Sequence, residues 1–436
     1  MISNTIMRNN RIVNNAKWII FCRIIQSVLQ LLIGMITARY LGPSNYGLIN
    51  YASSVVAFVL PLMQLGLQST LVQELIEAPE REGEILGTSL LMDLMSGMAC
   101  VVLVSAFVSA ANRSEGQTIA VTILYSTSLL FRTLELLQCW FQSKLQAKYV
   151  SLVSVCSYIV VSAYKIFLLI TQKSIYWFAL VNSIDYAIIG VTLIAVYKKL
   201  GGQKLSVSFQ TAAKLFGKSK YYILAAMMVT VFQNTDHIML KMMNGDAENG
   251  FYSAAITCAG VCQFIYTAIT DSMRPVILTC KKEGSADYEK NISRLYCITT
   301  YMALVQGVGF SIFAKLIIQV LYGEAYSEAV SVLRILIWYI AFVFMGSVRN
   351  IWILAEGRQS IIWKLNFSGV LINVLLNVLL IPLWGAKGAA AASLATQIFT
   401  NFLLGFLIRE LKENNRLLIK GMNLGLLLDL YRQWKK

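Results

Sequence analysis

The chain has 436 residues, 57% hydrophobic and 14% charged, with positive mean hydropathy. Soluble domains carry about 25% charged residues, so that class is excluded. Twelve spans of about twenty residues would use nearly the whole length and leave no room for a soluble domain. The net charge of +15 then concerns membrane orientation and anionic headgroups rather than nucleic acid.

Apolar runs bounded by turn residues predict membrane helices near 16–38, 48–73, 86–111, 117–141, 150–171, 175–198, 218–243, 251–275, 293–321, 329–355, 361–384 and 387–410. The Lys- and Arg-bearing start runs straight into the first span without a small-residue cleavage pattern, so no removed signal peptide is expected. The eight cysteines are scattered, mostly in apolar spans and without metal-ligand spacing; they read as small apolar residues.

An even number of spans puts both termini on one side. With charges near a span end assigned to the adjoining connector, 25 of the 37 Lys and Arg fall in the termini and even-numbered connectors and 5 in the odd-numbered ones. The positive-inside rule then predicts cytoplasmic termini. One connector runs the other way: Glu74 to Glu84 holds five glutamates and Arg81.

The first hairpin turns at Ala38-Arg39-Tyr40-Leu41-Gly42-Pro43-Ser44-Asn45-Tyr46-Gly47, where Gly42-Pro43 cannot continue a helix. Its first helix carries Arg23, Gln26, Ser27, Gln30, Gly34 and Thr37 at offsets 0, 3, 4, 7, 11 and 14. At about 100° per residue these share one stripe, which cannot face lipid. A helix–helix seam would explain it; a polar cavity wall explains its length and its arginine better.

The longest connector, Tyr197 to Lys220, divides the chain into similar halves. A shift of 203 lays Tyr46-Gly47 over Asn249-Gly250, Lys17 over Lys220 and Gln30 over Gln233. The stripe recurs as Thr230, Gln233, Asn234, His237 and Lys241. The prediction is an all-α polytopic membrane protein with two pseudo-symmetric six-helix lobes, 1–205 and 206–411, about a central cavity. Residues 412–436, ending in Arg432, Trp434, Lys435 and Lys436, read as a basic amphipathic cytoplasmic tail.

Further polar residues lie within spans. The fourth has Ser128, Arg132 and Glu135, the last two at pairing distance i, i+3. The fifth has Tyr158 and Lys165; the eighth has Thr270, Asp271 and Arg274; the tenth has Arg334 and Arg349; the eleventh has Asn366, Asn373 and Asn377. Buried salt bridges are one reading. The other is a mildly cationic vestibule in which Arg23, Arg132, Lys165, Arg274, Arg334 and Arg349 meet an acidic or phosphate-bearing substrate. Gln26, Gln30, Gln233, Asn234, Asn373 and Asn377 would add polar cavity lining.

No GxxxxGK[ST] loop occurs, so uphill movement would need an ion gradient. Asp93, Glu135, Asp185, Asp236, His237 and Asp271 are the candidates for coupling H+ or Na+. His237 ranks first and Asp185 second, while Asp236 points about 120° from the stripe, toward a neighbouring helix. No bound cofactor, metal or catalytic residue is expected.

The turn motif, followed by Asn50-Tyr51-Ala52-Ser53 and later by Leu65-Gly66-Leu67-Gln68-Ser69, resembles the first periplasmic turn of Wzx-type polysaccharide flippases. These belong to the multidrug/oligosaccharidyl-lipid/polysaccharide exporter superfamily, whose fold is MATE-like. The resemblance implies movement of undecaprenyl-pyrophosphate-linked oligosaccharides across the bacterial cytoplasmic membrane by alternating access. It implies a role in O-antigen, capsule or exopolysaccharide assembly, with membrane lipids and a polymerase and chain-length regulator as partners. Gly42, Pro43 and Gly47 mark the fold in this motif, not a substrate contact. The second half departs from it, with Asn244-Gly245-Asp246 opposite Leu41-Gly42-Pro43. A multidrug antiporter of the same fold is the alternative; a polytopic polymerase or ligase fits less well, because no predicted outer connector exceeds about ten residues.

Overall fold

The computed structural model describes residues 2–428 except Ala286, with side chains from Gln26 onward. Among the described residues every regular element is a helix, and the chain divides into two compact units. Unit 1 holds Met1–Leu41 and Leu48–Thr230; unit 2 holds Gly42–Gly47 and Val231–Lys436.

In unit 1, α1 (Ile2–Met63) bends at Gly42, whose φ of 71° and ψ of 170° are non-helical. Glycine adopts that conformation without steric cost, and Pro43 after it needs no backbone donor. There follow α2 (Gln68–Glu77), α3 (Glu82–Ala111), α4 (Gly116–Ser126), α5 (Ser128–Arg132), the tight turn Thr133–Leu136, α6 (Leu137–Ser143), α7 (Ala147–Ile170), α8 (Ile175–Ala179) and α9 (Val181–Lys199). The next helix, α10 (Phe209–Asn244), crosses from one unit to the other.

Unit 2 continues with α11 (Asp246–Ala259), α12 (Gln263–Lys282), α13 (Asp287–Tyr322), α14 (Ala329–Ala355), α15 (Ser360–Trp384) and α16 (Ala386–Ile398). A π turn, Phe399–Leu403, leads to α17 (Leu404–Leu407) and α18 (Lys412–Gly421). Leu417 and Leu418 of α18 are buried, and its Asn414 accepts a hydrogen bond from Tyr296 Oη at 2.9 Å. The last tail residues, 429–436, lie outside the described residues.

Eleven stretches among the described residues are long and apolar enough to cross a membrane. One of them, Gln26–Glu77, has 52 residues. At 1.5 Å per residue that is about 78 Å of helix, more than twice a hydrocarbon core, so the bend at Gly42 leaves length for two crossings.

Two spans expected to be continuous are broken. The second stops at Leu65 and Gly66, which have φ of 49° and 68°. A Cβ on Gly66 would stand 2.4 Å from the Ser219 carbonyl oxygen, so the start of α10 packs directly on that backbone. The fourth is divided among α4, α5, a tight turn and α6. Ser126 and Thr127 donate their hydroxyls to the carbonyls of Ile123 and Leu124, both at 2.7 Å, offering the backbone a local alternative to the helical ladder.

Three of the five glutamates in the acidic connector that ran against the charge pattern are paired within unit 1. Glu74 is buried and takes Lys214, at 2.8 Å, and Lys218. Glu82 pairs with Lys144 at 2.8 Å, and Glu84 with Arg81 at 2.8 Å. These pairs tie α10 to α2 and the connector after α6 to the start of α3, while the segment after α9 is held on α3 by hydrogen bonds. There, Gly83 N donates to Gln203 Oε1 at 3.1 Å, Ser206 N to Gly83 O at 3.2 Å, and Ser208 N to Thr88 Oγ1 at 3.0 Å. A Cβ on Gly87 would lie 2.4 Å from the Ser206 carbonyl oxygen. Replacing Gly87 with Val therefore lifts this strap. Losing two of its hydrogen bonds, at about 1 kcal/mol each, raises strap opening up to about 30-fold. Trypsin cleavage at exposed Lys204 in native membranes measures it.

In unit 2, beyond the end of α14, Glu356 accepts from Lys281 Nζ at 2.6 Å and Tyr288 Oη at 2.7 Å. Burial works to raise the Glu356 carboxyl, but these bonds and the Lys281 and Arg358 charges outweigh it and hold it below the ordinary carboxylate range. A lowered folded value means the contact contributes fully above the unfolded pKa and is lost as pH falls through the folded one. Glu356→Gln should thus melt earlier than the native protein at neutral pH, and the gap should narrow as pH falls below the ordinary carboxylate range. Melting in detergent across that range checks it.

Candidate functional site

Unit 2 builds a polar cluster around one carboxylate. Asp236 and His237 are neighbours on α10 and so leave it about 100° apart. Asp236 is 5% exposed and turns toward α11, α15 and α16. Its Oδ1 accepts from Asn377 Nδ2 at 2.6 Å and Asn373 Nδ2 at 3.2 Å. Its Oδ2 accepts from Tyr252 Oη at 2.6 Å and from Ser393 Oγ. Asn373 and Asn377 reach it together because they lie four residues apart on α15 and share a face.

A carboxylate offers about four acceptor positions, and neutral donors occupy all four here. Among the described residues no cation lies within 4.0 Å of Asp236. Asn377 adds a second feature: it is fully buried, and its Oδ1 has no hydrogen-bond partner. His237 belongs to an adjoining chain of bonds, with Nδ1 at 2.7 Å from Asn249 Oδ1 and Asn249 Nδ2 donating to Gly47 O at 2.7 Å.

Unit 1 carries a different cluster, on α3, α5, α7 and α9. Arg132 pairs with Glu135 at 2.8 Å and lies over the Tyr186 ring at 5.0 Å. Ser157 Oγ donates to Asp185 Oδ1 at 2.6 Å, and Lys165 Nζ stands 6.0 Å from the Tyr158 ring centre. Asn182 donates to Tyr125 Oη. On α3, Asp93 is 1% exposed and its Oδ1 has no hydrogen-bond partner. Two cations here face three acids, so the local charge balance is not cationic.

The remaining sequence candidates are scattered. Arg23 belongs to the stretch whose side chains are outside the described residues. Gln26 is half-buried and Gln30 exposed in unit 1, while Asn234 is half-buried and Gln233 exposed in unit 2. Arg274 pairs with Asp271 at 3.5 Å on the surface of α12. Arg334 is exposed and donates to the Ser311 carbonyl at 3.3 Å. Arg349 is 5% exposed and donates to the Thr400 carbonyl at 2.7 Å, in the π turn. Asn373 and Asn377 are buried ligands of Asp236 rather than exposed lining.

Sequence reasoning did not single out Tyr252, Ser393 or Asn249. The one available signal is Ser393, a lone hydroxyl after the run Ala389-Ala390-Ala391-Ala392.

Residues 12–281 match the family described as Polysaccharide biosynthesis protein. The chain belongs to that family. It is 23% identical over 391 residues to a protein of Escherichia coli (strain K12) named as an O-antigen transporter, covering 87% of this chain and 92% of that one. In fold it is similar to an inward-facing multidrug resistance MATE family transporter of the MOP superfamily, with a TM-score of 0.71, 13% identity and coverage of 89% and 96%. It is also similar to lipid II flippase MurJ in an inward closed conformation, with a TM-score of 0.69, 16% identity and coverage of 95% and 92%. This polysaccharide biosynthesis protein is thus a multi-pass membrane protein with the fold of that superfamily.

The cluster makes a stability prediction. Tyr252→Phe removes one of four donors from a buried anion and should cost about 1.5–3 kcal/mol. At about 2–4 °C per kcal/mol for a unit of this size, the melting temperature in detergent should fall by roughly 3–12 °C.

Proposed function

We propose that this protein flips lipid-linked oligosaccharide repeat units across the bacterial cytoplasmic membrane for surface polysaccharide assembly. The match to a named O-antigen transporter over 87% of the chain carries this reading. The family description and the lipid II flippase among the fold neighbours support it. The excess of Lys and Arg in the termini and even-numbered connectors supports cytoplasmic termini. A polymerase and a chain-length regulator of the same pathway would be its partners.

Movement is driven by ion-coupled alternating access, and we assign the coupling group to Asp236. A charge among apolar helices is expensive and is retained where it does work. Four neutral donors stabilise the carboxylate without cancelling its charge, so an arriving H+ or Na+ meets a full negative charge. Turning the Asn377 amide over would give its unpartnered Oδ1 to the same centre, making an oxygen-lined site suited to a hard cation. Asp185, bonded to Ser157, is the second choice, and His237 acts beside the site rather than as its charge. For the lipid pyrophosphate, Lys165 and Arg334 are the better cations of the set. Among the described residues neither has a carboxylate within 4.0 Å, whereas Arg132 and Arg274 are paired.

Asp236→Asn keeps the shape and removes the charge. In cells lacking the native gene, this variant should reach normal membrane levels yet restore little surface polysaccharide. In proteoliposomes, an imposed H+ or Na+ gradient should accelerate substrate movement by the native protein and not by the variant. Equal gradient response in both would remove Asp236 from coupling; normal polysaccharide without the protein would remove the flippase reading.

A further inference from the structure

The turn Gly42–Gly47 belongs to unit 2, although the helical stretches on either side of it belong to unit 1. Its attachment to α11 is reciprocal at the level of the backbone. A Cβ on Gly47 would lie 1.8 Å from the Asp246 carbonyl oxygen and 2.6 Å from the Gly250 nitrogen. A Cβ on Gly250 would lie 2.0 Å from the Pro43 carbonyl oxygen. Gly47 and Gly250 are 203 positions apart, and so are Pro43 and Asp246. The bends before them match as well: Gly42 has φ 71° and ψ 170°, and Gly245 has φ 92° and ψ −179°. Two equivalent turns thus lie glycine against carbonyl, an approach that only residues without a side chain permit.

One side chain ties this packing together. The Gly47 carbonyl can only accept, so it fixes the Asn249 amide with Nδ2 toward it, at 2.7 Å. That leaves Oδ1 facing His237 Nδ1 at 2.7 Å, so Nδ1 must carry the proton. Asn249 is fully buried. The start of α11 beneath it is pinned elsewhere: Lys241 pairs with Asp246 at 2.9 Å, and Glu248 Oε2 accepts from Ala386 N at 2.6 Å. Tyr46 of the turn packs edge-on against Tyr326, with ring centres 6.3 Å apart.

We propose that Asn249 is the positioning residue of an outer gate, latching the Gly42–Gly47 turn to a platform formed by the start of α11. Opening this end breaks the Asn249–Gly47 bond and separates Gly47 from Gly250, while the ion pair and the Glu248 contact keep the platform in place. His237 orients the latch by holding the Asn249 amide in register. The orientation outward rests on the transporter reading above, but the bond itself is tested without substrate.

The reporter is Ser253→Cys, one turn below Asn249 and 1% exposed, in a protein whose eight native cysteines are replaced by alanine or serine. Labelling by a membrane-impermeant maleimide is followed in intact cells whose outer membrane has been made permeable. With Asn249 present, labelling is slow. Asn249→Asp keeps an acceptor for His237 but sets an anion against the Gly47 carbonyl, and should accelerate labelling by about tenfold or more. Gly250→Ala leaves the amide intact and forces the turn away by size alone; it should give a similar gain. Thr299→Cys, 1% exposed on α13, is the control reporter and should stay protected in both variants. Unchanged labelling at Ser253→Cys in both overturns the latch. Equal gains at both reporters overturn it too, because the contacts would then merely hold unit 2 together.

Discussion

The organising constraint is the cost of a charge in hydrocarbon, and unit 2 meets it with hydrogen bonds rather than a counter-charge. Asp236 joins α10, α11, α15 and α16 through four donors, of which three lie 137 to 157 residues away in sequence. A buried carboxylate can be held by opposite charge, which cancels its field, or by dipoles, which lower its energy and leave the charge in place. The second arrangement keeps a membrane acid available for exchange. It also makes the four helices interdependent, since withdrawing any one of them leaves a buried acceptor without its donor.

Much of this architecture was legible in the residues. The Gly42-Pro43 bend announces itself, because one residue tolerates positive φ and the next lacks a donor. The predicted span 329–355 coincides with α14, and most other spans differ by a few residues at their ends. Pairs set by helical spacing were also readable: Arg132 with Glu135, and Arg274 with Asp271. The Asn373 and Asn377 ladder correctly marks one polar face of α15, but periodicity cannot say what that face meets. Nor could it find Ser393 or Tyr252, whose roles exist only through tertiary contact. The break at Leu65 and Gly66 escaped for the same reason, since the Ser219 carbonyl that demands it comes from a distant helix. The π turn at Phe399–Leu403 has no Pro or Gly to announce it.

Glycine does comparable work at both ends of the chain's helices, with different consequences. Gly83 and Gly87 let the segment after α9 lie on α3, and hydrogen bonds between Gly83 and Gln203, Ser206 and Gly83, and Ser208 and Thr88 fasten that contact. Gly47 and Gly250 let two turns meet, and there a neutral amide supplies the tie. A contact held by several hydrogen bonds favours permanence, whereas one amide bond over bare backbone can be broken at a cost of about 1 kcal/mol. Several hydrogen bonds thus hold the connector on α3, and a single asparagine amide ties the turn to α11.

The same contrast bears on the two polar clusters. In unit 1, Glu135 already has Arg132 against it, and a second cation arriving there would find most of the field cancelled. Asp185 is less committed, with Ser157 donating to it and Lys165 in the same cluster. Asp236 is compensated by neutral groups throughout, so a proton or monovalent cation would gain the whole charge interaction on arrival. Its binding would also change what Asn373, Asn377, Tyr252 and Ser393 can donate to, because a neutralised carboxyl accepts more weakly than an anion. A cation bound at this one carboxylate would therefore be felt on three helices besides its own.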